Sequence, residues 1–220
     1  MSAAATSLDR DFIARLPRNS TLILRDVSWD DYEALLAAIG GAPGLRISFD
    51  EGTLQVMTLS PEHESYSRLL ERLIDRLSAR LRIEILFFGS STMKRKDPQK
   101  GAEPDACYYV QSAPAIGARI DVDFSKDPLP DVAVEIDVHH DSLDKFPLYA
   151  ALGVPEIWRY DGAALTMHRL EGDRYVPTPA SIALPVLEAQ TLTRFLGLAG
   201  EKSQHDILLA FEEWLDSLPR

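Results

Sequence analysis

The segment from Val132 to Tyr160 constrains the fold more than any other, because it reads as strand, helix and strand with almost nothing between them. Val132-Ala133-Val134-Glu135-Ile136 is a short apolar run, and Val154 to Tyr160 is another. Between them a helix is expected from after Asp141 to about Leu152, with Gly153 placed as a left-handed terminator. Pro147 must fall in the first turn, where no intrahelical hydrogen bond is lost. The N-cap is therefore expected at Leu143 or Asp144, and Lys145 at the very start of the helix. Such a succession implies a mixed or partly parallel sheet covered by helices, an α/β (α+β) fold.

The rest of the chain supports one domain, residues 1–220, with its core at about 45–160 and peripheral elements at both ends. Thr21 to Leu24 reads as a strand, and Ser28 caps a helix from Trp29 to Ile39 that Gly40-Gly41 stops. Leu45 to Thr58 alternates around Asp50-Glu51-Gly52, a hairpin signal. From Pro61 to Leu81, apolar residues recur every three or four positions behind Ser60, predicting an amphipathic helix. Strands are expected at Ile83 to Phe88 and Ala106 to Val110, with a loop from Gly89 to Gly101. Gln111 to Pro130 reads as a long connection with a little strand at Arg119 to Val122. A hairpin over Ala164 to Val176 and helices near Thr193 to Leu198 and Ser203 to Leu218 close the chain.

With 45% hydrophobic residues the chain can bury a substantial core. Its single cysteine, Cys107, lies in an apolar run, which excludes a disulfide framework and suits a reducing, cytoplasmic compartment. Met1 to Ser7 lack the basic and apolar regions of a secretion signal, and no long apolar run is present. The net charge of -11 argues against a surface that attracts nucleic acid everywhere. It leaves room for a local basic groove, for which Lys94-Arg95-Lys96 and Lys100 are the candidates.

Carboxylates sit on two of the expected strands. Asp105 opens one, after Glu103-Pro104, and Glu135 lies within the other. Period-two geometry sends Glu135 and Asp137 to one face and leaves the Ile136 carbonyl between them. If the strands are neighbours, three carboxylates and a carbonyl converge as the partial oxygen shell that Mg²⁺ requires. The Asp105 and Glu135 oxygens are then expected within about 4 to 6 Å of each other, with the Lys145 ammonium on the same side of the sheet.

The order of these segments resembles the PD-(D/E)XK nuclease superfamily, and more closely its Uma-type restriction-endonuclease-like family. The resemblance runs over about residues 20 to 190. It is carried by Glu51-Gly52-Thr53-Leu54, Ser60-Pro61-Glu62-His63, Pro104-Asp105, Val134-Glu135-Ile136, Lys145-Phe146, Tyr149 and Gly153-Val154-Pro155-Glu156-Ile157-Trp158. It implies a restriction-endonuclease-like mixed central sheet flanked by helices, with Asp105 and Glu135 as metal ligands and Mg²⁺ (or Mn²⁺) as cofactor, to which the strand geometry adds the Ile136 carbonyl. The implied reaction is hydrolysis of DNA phosphodiester bonds, and the implied assembly a homodimer. An acidic residue of the long helix, here Glu64, often reaches the metal in this superfamily.

One position departs from the pattern. The superfamily expects lysine two places after the glutamate, and Asp137 stands there. Lys145 is the candidate replacement, reaching back from the following helix. The alternative is a catalytically inactive nuclease-fold module, and an RNA-directed hydrolase is compatible with the same residues. For His63 a structural or peripheral role is expected, for His139-His140-Asp141 a loop, and for Trp158 and Tyr149 a strand–helix packing pair.

Overall fold

The computed structural model describes residues 10–13, 15–39, 42, 44–139 and 145–218. A one-turn helix α1 (Arg10–Ile13) leads to β1 (Thr21–Leu24), α2 (Trp29–Ile39) and a hairpin of β2 (Leu45–Asp50) and β3 (Thr53–Thr58). Helix α3 (Pro61–Leu81) follows, then β4 (Leu86–Phe87), a hairpin of β5 (Met93–Arg95) and β6 (Lys100–Ala102), β7 (Ala106–Tyr109) and the short α4 (Ala113–Ile116). The remainder is β8 (Val132–Ile136), α5 (Phe146–Leu152), β9 (Glu156–Tyr160), the hairpin β10 (Leu165–Glu171) and β11 (Arg174–Thr178), α6 (Ala189–Leu196) and α7 (Gln204–Asp216).

Local chemistry explains most of these boundaries. The Ser60 hydroxyl accepts the His63 N–H at 3.0 Å and so starts α3, while Ser28 does the same for Asp31 at the head of α2. The β2–β3 turn places Glu51 and Gly52 at φ of 44° and 95°, the left-handed pair that a two-residue hairpin needs. Gly153 ends α5 at φ 91°, its N–H returned to Tyr149 and Ala150 carbonyls.

Among the described residues the strands form two sheets. The first has the order β1-β3-β2-β6-β5 and is wholly antiparallel. The second has the order β11-β10-β9-β8-β7-β4, and β8 with β9 is its parallel pair, joined by α5 as the sequence requires. Val132, Val134 and Ile136 of β8 face a core shared with α3, α6 and α7, so these last two helices complete the main core. Leu69, Leu70, Leu73, Ile74 and Leu77 of α3 are buried there, each contributing about 1.5–3 kcal/mol. Ala133 faces a second core beneath α5, and a third lies between the first sheet and α2.

Five expectations change. The strand expected from Ile83 to Phe88 shrinks to β4, because only Leu86 and Phe87 pair with β7. The expected loop from Gly89 to Gly101 holds the β5–β6 hairpin, whose Met93 and Ala102 are buried while Lys94 and Lys100 are half-buried. Gly101 passes so close to the Tyr32 ring that a Cβ would meet the phenol oxygen at 2.2 Å. No strand forms at Arg119 to Val122; the ordered element of that connection is α4. Trp158 and Tyr149 do not pack together: Trp158 joins the α3 core and Tyr149 the α5 core, on opposite faces of the sheet. The N-cap of α5 is Lys145 itself, whereas Leu143 and Asp144, like Gly40-Gly41 and His140-Asp141, lie outside the described residues.

Candidate active site

Asp105 stands where the chain passes from the first sheet to the second. Its N–H donates to the Val134 carbonyl at 2.8 Å, and Ala106 is also in register with Val134. Two residues thus face one, the arrangement of a β-bulge, which re-aims a side chain. The Asp105 carboxylate is buried and fully engaged. Oδ1 accepts from Arg46 Nε at 2.9 Å and Oδ2 from the Ile136 N–H at 2.7 Å. His63 Nε2 lies 3.0 Å from Oδ2, within range of electrostatic attraction but off the line of a well-formed hydrogen bond. Burial alone would raise the Asp105 pKa, yet His63, Arg46 and Lys145 together hold it below the usual aspartate value.

Glu135 occupies the neighbouring strand on the α5 side. Its Oε2 accepts from Lys145 Nζ at 2.8 Å and its Oε1 from the Tyr149 hydroxyl at 2.5 Å. Lys145 and Tyr149 are one turn apart on α5, so one short helix delivers both donors. Burial, aided by the charges of Asp105 and Asp137, outweighs Lys145 and pushes the Glu135 carboxyl up to about 7. Burial acts the other way on Lys145, but Glu135 and Asp105 hold its ammonium above the usual value. Both shifts have one meaning: the cluster carries more negative charge than its environment solvates, and it retains protons.

Asp137 and Glu64 have cation partners of their own. Asp137 Oδ2 accepts from Arg159 Nε at 2.5 Å, an ion pair between the end of β8 and β9. Glu64 is partly exposed and lies 3.6 Å from Arg46 Nη2, reaching the site only through that arginine. Among the described residues no three His, Cys, Asp or Glu side chains surround a common metal position. Two carboxylates and a carbonyl remain. The Ile136 N–H points at Asp105, and a strand residue's carbonyl leaves on the same side as its N–H, so the Ile136 oxygen faces that edge. This hard-oxygen set fits Mg²⁺, which takes one or two carboxylates and completes an octahedron with waters.

Arg46 is the residue that sequence reasoning missed at this centre, while His63, expected in a structural or peripheral role, lies against Asp105. Both are polar side chains at inward-facing positions of apolar elements: Arg46 between Leu45 and Ile47 of β2, and His63 on the α3 stripe with Ser67 and Leu70. That misplacement was the available signal. The basic run is partly neutralised within the molecule, with Lys94 on Glu33 at 2.6 Å and Lys100 on Asp50 and Glu51. His139 pairs with Glu62 at 3.0 Å. A cavity of about 500 Å³ lined by Leu45, Ser60 and Glu64 opens beside the cluster.

The Uma2 family, described as a putative restriction endonuclease, matches residues 29–199. The chain belongs to this family. The Uma2 fold extends to a solved structure, a putative nuclease of the DUF820 group from Anabaena variabilis ATCC 29413. That protein is 16% identical, with a TM-score of 0.50, over 77% of this chain and 99% of its own. Comparison with curated proteins gave no match. Among the described residues no helix of this Uma2 protein is long and apolar enough to cross a membrane.

Proposed function

We propose that this protein is a Mg²⁺-dependent endonuclease that hydrolyses DNA phosphodiester bonds, accepting Mn²⁺ in place of Mg²⁺. The observation that carries the reading is the buried Glu135, held between Lys145 and Tyr149 beside Asp105 on the adjoining strand. Asp105, Glu135 and the Ile136 carbonyl would hold the ion. When bound, it supplies a lowered pKa for a ligated water and neutralisation of the phosphate charge. Tyr149 would orient Glu135, and the Lys145 ammonium, which donates to Oε2, would orient the attacking water by a hydrogen bond. Asp137, paired with Arg159, and Glu64, paired with Arg46, would then act by setting the charge around the ion.

We further propose DNA as the partner and a homodimer as the assembly, so that two such centres meet two strands, in a cytoplasmic setting. A second reading, an inactive nuclease-fold module, is favoured by one observation. Every oxygen of Asp105 and Glu135 already has a donor from the chain itself, and both residues are nearly inaccessible. Titration of Mg²⁺ and Mn²⁺ into wild type and Glu135→Ala, with plasmid nicking on the same samples, separates the two. Binding and nicking that vanish together in the variant support the nuclease. No binding to wild type supports the inert module.

A further inference from the structure

Arg46 is out of place by every ordinary criterion. It projects from β2 of the first sheet into the second sheet's carboxylate cluster, and it is buried. A guanidinium that exists to neutralise a carboxylate offers both arms of its fork. Arg46 does not. It gives Asp105 Oδ1 a single N–H, from Nε at 2.9 Å, because Oδ2 is taken by the Ile136 N–H and faced by His63. The rest of the guanidinium is tethered elsewhere, with Nη1 on the Leu45 carbonyl at 2.8 Å and Nη2 3.6 Å from the half-exposed Glu64. It also borders a cavity of about 270 Å³ whose polar wall is Ser91, Thr92 and Glu103. The guanidinium therefore makes one charge-assisted hydrogen bond at the site and turns its other nitrogens to partners outside it, with a cavity on its far side.

Resting on the metal reading above, we propose that Arg46 is a placeholder for the divalent ion: it occupies Asp105 Oδ1 while the site is empty and cedes that oxygen when the ion arrives. The buried carboxylate cannot be left without a positive partner, since an unpaired charge in that environment is strongly destabilising. A permanent bidentate partner would block the ion, and no partner would leave the metal-free fold unsupported. A one-point contact from a side chain with its own tethers meets both demands. Apparent ion affinity is then reduced by the fraction of molecules in which Arg46 holds Asp105.

The test is calorimetric titration of Mn²⁺ into the full chain and into Arg46→Met and Arg46→Gln, the second keeping an N–H for Asp105 where the first fails to fold. The folded neutral variant should bind Mn²⁺ about tenfold tighter than wild type, or bind it where wild type does not. In EDTA it should melt below wild type, and saturating Mn²⁺ should raise its melting temperature by more. A neutral variant that binds equally or more weakly, beside a wild type that binds, overturns the placeholder and leaves the metal reading intact. Absence of binding in wild type and both variants overturns the metal reading, and this inference with it.

Discussion

Glu135 and Glu156 stand on adjacent parallel strands of one sheet, and they are almost equally buried, at 1% and 0% exposure. Burial raises the pKa of both. Their partners differ in kind. Glu156 accepts from the Trp158 indole at 2.6 Å, the Ser181 hydroxyl at 3.1 Å and the N–H groups of Ile182 and Ala183 at 3.0 and 2.9 Å. All four donors are neutral, and two are backbone, so the carboxylate acts as a fixed post for the chain at 181–183. Glu135 has a cation and a phenol, both on side chains of one short helix. Glu156 thus fixes backbone in place, whereas both donors of Glu135 are side chains, whose displacement by a ligand would leave the main chain where it is.

The comparison breaks most visibly in activity. Glu135→Gln should lower plasmid nicking by about 10³-fold or more, measured as initial rate with saturating Mg²⁺. Glu156→Ala should leave the rate per folded molecule within about twofold while removing about 3–5 kcal/mol of stability in urea denaturation, because it strands several buried donors. Should Glu156→Ala prove stable but inactive, the division between the two glutamates collapses.

A middle-sized effect lies in pH. The Glu135 pKa of about 7 exceeds that of the unfolded chain, so between pH 5 and 7 the folded protein binds more protons. Its ionisation therefore costs stability as pH rises through that window, and the metal-free protein should lose melting temperature there unless Glu135 is replaced by Gln. An arriving ion must displace the proton. Mn²⁺ binding should release up to about one proton per ion below pH 7 and almost none at pH 8, read by calorimetry in buffers of different ionisation enthalpy. The Asp105 shift has the opposite sign, and its contribution is lost only as pH falls below the ordinary aspartate range. The smallest effect belongs to Tyr149→Phe, which removes one donor from Glu135 and should cost about 1 kcal/mol of stability and a several-fold loss in nicking rate.

Legibility in the sequence followed the range of the interactions. The α3 stripe, the Ser60 cap, the β2–β3 hairpin and the strand–helix–strand of β8, α5 and β9 are set by neighbours in the chain, and all form where periodicity places them. Lys145 was legible as well, because Pro147 fixes where its helix begins; its ammonium lies on Glu135 rather than in solvent. The partners of Asp105 come from 59 and 31 residues away, and no local pattern announces them. Lys94 and Lys100 looked like a basic groove because Glu33 and Asp50, which answer them, are distant in sequence. Asp137 shares a strand direction with Glu135, but the cation beside it on β9 decided where its carboxylate went.

Only Glu103, Pro104 and Asp105 separate β6, in one sheet, from β7, in the other. The Glu103 carboxylate is clamped to the Ile47 N–H and Thr92 of the first sheet's side, while Asp105 is bolted to Ile136 of the second. The crossing is thus short and hydrogen-bonded at both ends. A displacement of the β5–β6 hairpin would therefore have to move the Asp105 carboxylate or break one of these hydrogen bonds.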